Sequence, residues 1–296
     1  MQATAGAHAR ADSHSVLETR VVVLTVLIFG LALSAVVLLA LEGPTPRATY
    51  SSTATTLKGA TMSYPFGTKN RHEPSGLSPP GPRILSGYQR VYATDFLRTS
   101  LPAGWQDFTG VPGGDPGGKF AASHVVVTHG MLELNTYRDP LYNNRWVSGG
   151  LCQCGLPYTY GAFFVRSRIT GPGPNEVQLL WPASNRWPPE IDFYETGTKD
   201  DSTSWTLHYG SNNSFVQQTL RIDQTAWHTW GVIWGPNKII YTVDGREWGS
   251  FTGTYAIPGV PMTLDLQQRP GCSLAPVCTS VPQSMLVDWV TEYTKS

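Results

Sequence analysis

Six residues in the middle of the chain, Glu190-Ile191-Asp192-Phe193-Tyr194-Glu195, set three carboxylates among apolar neighbours directly after Trp187-Pro188-Pro189. On a helix, at about 100° per residue, offsets of two and five do not share a face. On a strand, Glu190 and Asp192 fall on one face and Ile191 and Phe193 on the other. Glu195 has the wrong parity for the acidic face unless one extra residue is inserted as a β-bulge, which swings it back. The bent strand then presents three acids in a row, anchored from behind by apolar side chains.

Carboxylates crowded in this way repel, so the arrangement asks for a use. Retaining glycoside hydrolysis is one: a nucleophilic carboxylate and an acid/base carboxyl face each other about 5–5.5 Å apart across the scissile bond. The charge of the nucleophile keeps its partner protonated as an acid. A solvated acidic strand and a calcium site are the other readings of these six residues.

Glu-Ile-Asp-Phe-Tyr-Glu resembles the E-x-D-x-x-E signature of glycoside hydrolase family 16, in the bulged form shared by laminarinase-type members. The resemblance runs from about Asp95 to Tyr293. It includes Tyr160-Gly161-Ala162-Phe163-Phe164-Val165-Arg166, Leu180-Trp181-Pro182, Trp227-His228-Thr229-Trp230, Val243-Asp244-Gly245 and Val287-Asp288-Trp289. Each is weak alone; the order and spacing give them force together.

By position in the motif, the resemblance implies Glu190 as nucleophile and Glu195 as acid/base, with Asp192 hydrogen-bonded to Glu190 between them. Trp181 and Trp187 flank the loop into that strand and would offer ring faces to a sugar, as tryptophans near this position do in related enzymes; core aromatics are the alternative. His208 shares a strand face with Thr206 in Trp205-Thr206-Leu207-His208-Tyr209 and matches a T-x-H setting near the acid/base of relatives. Gln267, Arg145 and Trp146 complete the substrate-binding candidates, although the register of Gln267 against Gln268 is open. His228 reads as a core or surface histidine, and Trp227, Trp230 and Trp234 as core anchors of a hairpin. No cofactor is required; Asp288 could ligate a structural calcium on the convex side, as in some relatives. Two positions depart from many laminarinases: Pro189 replaces a small residue before the first acid, and Leu264-Asp265-Leu266-Gln267-Gln268 replaces an Asn-Leu-Ala-type segment.

These residues need a scaffold, and the 296-residue chain has room for one sizeable core plus appendages. Charged residues make up 14% and the formal net charge is zero, which argues against a nucleic-acid binder. Ten Trp and 13 Tyr with 30 Gly and 23 Pro suit short strands joined by many turns. From Gly87 onward, runs such as His124–Val127, Gly161–Arg168, Glu176–Leu180, Trp205–His208, Thr229–Trp234 and Lys238–Val243 are split by Gly, Pro and Asn. Asp244-Gly245 is a hairpin turn signal. This is an all-β pattern for a two-sheet sandwich over 87–296. The resemblance implies a β-jelly roll whose concave sheet forms a substrate cleft.

Upstream, residues 1–20 read as a disordered cytoplasmic tail. Residues 21–41 are apolar or small throughout and, as a helix of about 30 Å, match a hydrocarbon core. An uncleaved transmembrane signal anchor fits better than a cleaved signal peptide, because no clear A-x-A site follows Leu41. The flanking charges nearly tie: Arg10 and Arg20 precede the span, Arg47 and Lys58 follow it. A polymer substrate places the domain outside the cell, on a single-pass protein of the cell membrane. Residues 42–86, rich in Pro, Gly, Ser and Thr, read as a linker. Of the four cysteines, Cys272–Cys278 and Cys152–Cys154 is the favoured pairing, with cross-pairing the alternative; zinc fits the spacing poorly.

The leading reading is a membrane-anchored, monomeric, retaining endo-β-glycanase acting on β-1,3- or mixed β-1,3/1,4-glucan. A transglycosylase or galactan-type hydrolase remodelling envelope polysaccharide would use the same intermediate. A lectin-like binding module would need neither Glu190 nor Glu195, and an inert surface domain would not explain the acids.

Overall fold

The computed structural model describes residues 49–55, 57, 61–197, 201–271 and 281–296. Alternating apolar residues generate two antiparallel sheets that press their inner faces together. In the first, eight described strands run in the order Thr49–Thr55, Ser214–Arg221, Ser202–Tyr209, Glu190–Thr196, Asn175–Pro182, Met262–Arg269, Gly150–Cys152 and Gln106–Asp107. Its Thr49–Thr55 edge is the exception to antiparallel pairing, lying parallel to Ser214–Arg221. The second runs Arg246–Phe251, Ile239–Val243, His228–Trp234, Gly161–Ile169, Gln283–Lys295, Met131–Asp139 and Val125–Thr128, with Tyr88–Thr94 and Arg145–Val147 paired onto it. Among the described residues the helical elements are two three-residue 3-10 turns. The two-sheet all-β sandwich read from the sequence is the observed one.

The core lies where the sheets meet. Ile191, Phe193, Leu180, Leu207, Leu264 and Leu266 of the first sheet pack with Phe163, Val165, Trp230, Val232 and Trp234 of the second. Rings cross the gap directly: Tyr194 lies 4.4 Å from Trp230, and Trp205 stacks on Tyr241 at 4.3 Å. Such pairs add about 0.5–1.5 kcal/mol beyond the area they bury. Trp227 does not join them. It is half-buried, with the Arg168 guanidinium 5.5 Å above its ring, because it precedes the strand that begins at His228. At Asp244-Gly245 both residues have positive φ, the conformation that a two-residue hairpin turn demands.

The linker assignment fails over 61–86. This stretch is a strap laid across the outer face of the second sheet, where Ala162, Phe164, Ile233, Trp289 and Tyr293 form a second apolar cluster with Tyr64, Leu85 and Tyr88 against it. Backbone carbonyls of the strap satisfy the buried rings: Trp289 Nε1 donates to Leu77 O at 2.8 Å, and Tyr293 OH donates to Gly81 O at 3.0 Å. Pro and Gly are frequent here because the strap follows a sheet surface without pairing to its edge. The domain boundary therefore lies upstream of Gly87. The tail, the apolar 21–41 segment, residues 42–48, Cys272 and Cys278 lie outside the described residues. Cys152 and Cys154 form a disulfide.

Candidate active site

The strand register delivers the acids. Asp192 pairs with Leu179 on one side and Thr206 on the other, while Glu195 pairs with Val177 and Ser204. Between them Phe193 and Tyr194 oppose the single residue Trp205, so one residue is inserted. Both aromatics turn into the core, 0% and 1% exposed, and Glu195 returns to the face of Glu190 and Asp192. This is the bulge expected from the parity of the acids.

Glu190 is fixed from two sides. Trp187 Nε1 donates to its Oε2 at 2.6 Å, and Asp192 hydrogen-bonds to it. Burial first, then the charges of Glu190 and Glu195, push the Asp192 carboxyl well above the usual range. The mutual hydrogen bond of Asp192 and Glu190 raises Asp192 and lowers Glu190, which makes Asp192 the donor of the pair. Burial also raises Glu190, but the neighbouring His208 and the indole N–H oppose the rise. Two hydrogen-bond partners, Trp187 and Asp192, thus aim the Glu190 carboxyl.

His208 pairs with Glu190 across the strands, and its Nε2 stands 3.6 Å from Asp192 Oδ2. Its Nδ1 meets Asn213 Oδ1 at 2.8 Å, which fixes the ring. Trp187 is 42% exposed, its ring 5.8 Å from that of His208, so it offers an open apolar face next to the carboxylates. Trp181 is half-buried, one position beyond the Leu180–Ile191 pair, with its indole N–H on Asn185 Oδ1 at 3.0 Å. Gln267 pairs with Val177, itself opposite Glu195, and so shares the face of the acids; Gln268 turns inward.

Arg145 and Trp146 are not brought to the acids. They pair with Asp139 and Arg138 at the edge of the second sheet, where Arg138 lies 5.1 Å over the Trp146 ring. The chain changes sheets only after Val147, at Ser148-Gly149, and both residues fall before that crossing. His228 also sits elsewhere, tied to Asp244 Oδ2 at 2.7 Å.

Sequence reasoning missed two residues on the strand of Gln267. Asp265 and Arg269 share its parity and therefore its face. Asp265 is 4% exposed, bonded to Thr263 Oγ1, and burial raises its carboxyl well above the usual range. Arg269 Nη2 donates to Glu195 Oε1 at 3.1 Å. Extending the alternation two residues either way from Gln267 would have found both. On the buried side of the same strands, Glu176 accepts from Thr196 Oγ1 at 2.6 Å and from Gln268 Nε2 at 3.0 Å. Burial raises its carboxyl to about 7.

Ligand atoms of Glu190, Asp192 and His208 lie within 4.8 Å of one another, a spacing a cation could use. The indole N–H and the shared proton directed into that group suit a proton-sharing site better than a metal. At Asp288, Oδ2 accepts from Ser75 N at 3.1 Å while the buried Oδ1 has no partner among the described residues. Asp288 belongs to no group of three or more His, Cys, Asp or Glu ligand atoms among the described residues, so a calcium there would draw on backbone carbonyls and water.

A sequence profile described as Glycosyl hydrolases family 16 matches residues 118–290, more than half of the chain. The endo-1,3-1,4-beta-glycanase ExsH of Rhizobium meliloti is 33% identical over 91 residues, which are 29% of this chain and 20% of that protein. The match thus spans a fifth of that relative's length. Among solved structures, the laminarinase from Rhodothermus marinus superposes with a TM-score of 0.64 at 20% identity, over 71% of this chain and 98% of that one. An endo-beta-1,3-glucanase from Pyrococcus furiosus gives 0.62 at 18% identity, over 71% of this chain and 95% of that one. At such identities these two establish a shared fold. The profile, in turn, covers the strands that carry Glu190, Asp192, Glu195 and Asp265, and the chain belongs to glycosyl hydrolase family 16.

Proposed function

We propose that this chain is a retaining endo-β-glycanase acting on β-1,3- or mixed β-1,3/1,4-glucan by double displacement. The observation that carries the reading is the bulge that turns Glu195 to the face of Glu190 and Asp192. The substrate class follows from the printed activities of the relatives.

In the first step Glu190 attacks the anomeric carbon as the glycosidic C–O bond breaks, and Glu195 gives its proton to the departing oxygen. The hydrogen bond from Asp192 orients Glu190 and steadies its charge until the bond forms. In the second step Glu195 takes a proton from water, whose oxygen attacks the same carbon and releases Glu190. Trp187 offers its exposed face to the sugar while its N–H holds the nucleophile. An endo mode fits aromatic and polar side chains continuing across several strands from the acids, through His208 to Phe215, with ring centroids 5.8 Å apart.

The test is incubation of the purified chain with laminarin, lichenan, agarose and galactan, reading linkage, anomer and product length. Oligosaccharides of mixed length with retained β-configuration from laminarin or lichenan are the expected products. Inverted products would refute the double displacement, cleavage of galactan alone would refute the substrate class, and products longer than the substrate would mark a transglycosylase. We further propose that residues 21–41 anchor a monomer in the cell membrane with this domain outside. Extraction by alkaline carbonate without detergent would contradict the anchor.

A further inference from the structure

We infer that Arg269 is a positioning residue for Glu195, holding one carboxylate oxygen so that the other handles the proton in both steps. The inference rests on the assignment of Glu195 as acid/base. Arg269 stands on the cleft face of the Met262–Arg269 strand, opposite Asn175. Four of its five N–H groups have partners. Nε donates to Asn175 Oδ1 at 2.7 Å, Nη2 donates to the same oxygen, and Nη1 donates to Gly113 O at 2.9 Å. The remaining Nη2 hydrogen goes to Glu195 Oε1 at 3.1 Å. Asn175 closes the circuit by donating to the backbone oxygen of Thr196, the residue that follows Glu195.

Two features make this a built support and not a chance ion pair. First, the partners are largely out of solvent, with side chains 15% and 24% exposed for Arg269 and Glu195. A pair on an open surface would contribute little. Second, the guanidinium is wedged: a Cβ at Gly114, where φ is +73°, would meet Arg269 Nη1 at 3.1 Å. A side chain at Gly114 would crowd the fork, and Gly113 O holds it by accepting from Nη1. Glu195 Oε2 accepts no hydrogen bond among the described residues. It is the oxygen left to give a proton to the leaving group and to take one from water. A planar fork with fixed donor directions can do this; a lysine ammonium cannot meet Asn175, Gly113 and Glu195 in the same geometry.

Proton donation matters most when the leaving group is basic, which gives a readout that simple loss of structure does not mimic. The full chain and its Arg269→Met, Arg269→Lys and Glu195→Ala variants are assayed on aryl β-laminaribiosides, cellobiosides and galactobiosides. Each is offered with a phenol leaving group and with a 2,4-dinitrophenol leaving group, with and without azide. For Glu195→Ala, the established loss of an acid/base gives a fall of about 10²-fold or more on the phenol substrate, far less on the dinitrophenyl one, and rescue by azide with a β-glycosyl azide product. Arg269→Met and Arg269→Lys are expected to show the same dependence on the leaving group at about 10-fold or more, without azide rescue, because the Glu195 carboxylate is still in place. The ratio of the two substrates on one preparation does not depend on the folded fraction, so a poorly folding variant still reports. If both Arg269 variants lose activity equally on all leaving groups, or lose none, the positioning role is wrong. If Glu195→Ala itself lacks the pattern, or the full chain cleaves none of the panel, the acid/base assignment falls and this inference with it.

Discussion

Glu176 gives a prediction whose size follows from the structure. Its carboxyl is wholly buried between the sheets, bonded to Thr196 and Gln268, and burial raises it from 4.5 to about 7. An acid so raised keeps its proton in the folded state at pH values where the unfolded chain has lost it. Stability is therefore fully present below about 4.5, falls as pH rises to about 7, and levels off beyond. Each pH unit of that window costs about 1.4 kcal/mol, so crossing it costs about 3 kcal/mol. Glu176→Gln removes the titration while keeping an acceptor for Gln268 and an amide donor for Thr196 Oγ1. Urea unfolding of both proteins between about pH 4 and about pH 8, with unchanged m-values, measures the difference. The balance should move in favour of the variant by about 3 kcal/mol across the window. Glu292 and Asp288, raised by burial to about 8 and about 6, titrate alike in both proteins and cancel. A difference that stays flat with pH would refute the burial argument.

Glu190→Gln and Glu195→Gln should each lower turnover on glucan by about 10³-fold or more with little change in Tm; near-normal turnover in either would overturn its role. Trp187→Phe keeps a ring but loses the N–H to Glu190, and a hydrogen bond to a charged group is worth about 1.5–3 kcal/mol. A kcat loss of about 10-fold or more is expected, with KM nearly unchanged; a KM effect alone would make Trp187 only a sugar platform. Residues 87–296 expressed without the strap should bind a hydrophobic dye and unfold at lower temperature than residues 48–296. Equal behaviour would mean the strap contributes no net cover.

The strand alternation of the acids was legible because two faces of one strand have opposite chemistry, and the parity conflict at Glu195 announced the bulge. The hairpin at Asp244-Gly245 was legible for a similar local reason, its demand for positive φ. What stayed hidden depends on partners distant in sequence. Arg269 lies 74 residues from Glu195, and its role rests on Asn175 and Gly113, which no local pattern joins to it. The strap was misread because Pro, Gly and Ser signal irregular backbone, which can cross a protein surface as readily as leave it. Leu77, Tyr64 and Leu85 were the apolar residues that could have corrected this. Arg145 and Trp146 were misplaced because sequence nearness to Ser148-Gly149 does not reveal on which side of a sheet crossing a residue falls.

Phe193 and Tyr194, side by side in the interior, tie the geometry of the cleft to the integrity of the fold. Flattening the kink with both residues kept would turn Tyr194 outward and reverse the facing of everything after it, bringing a carboxyl toward Trp230 and an aromatic ring into water. Selection for a folded chain alone would therefore preserve the shape of the cleft after catalysis had ceased to matter. A descendant that abandoned hydrolysis would be recognisable by altered acids on an unaltered kink, a ready-made sugar-binding surface.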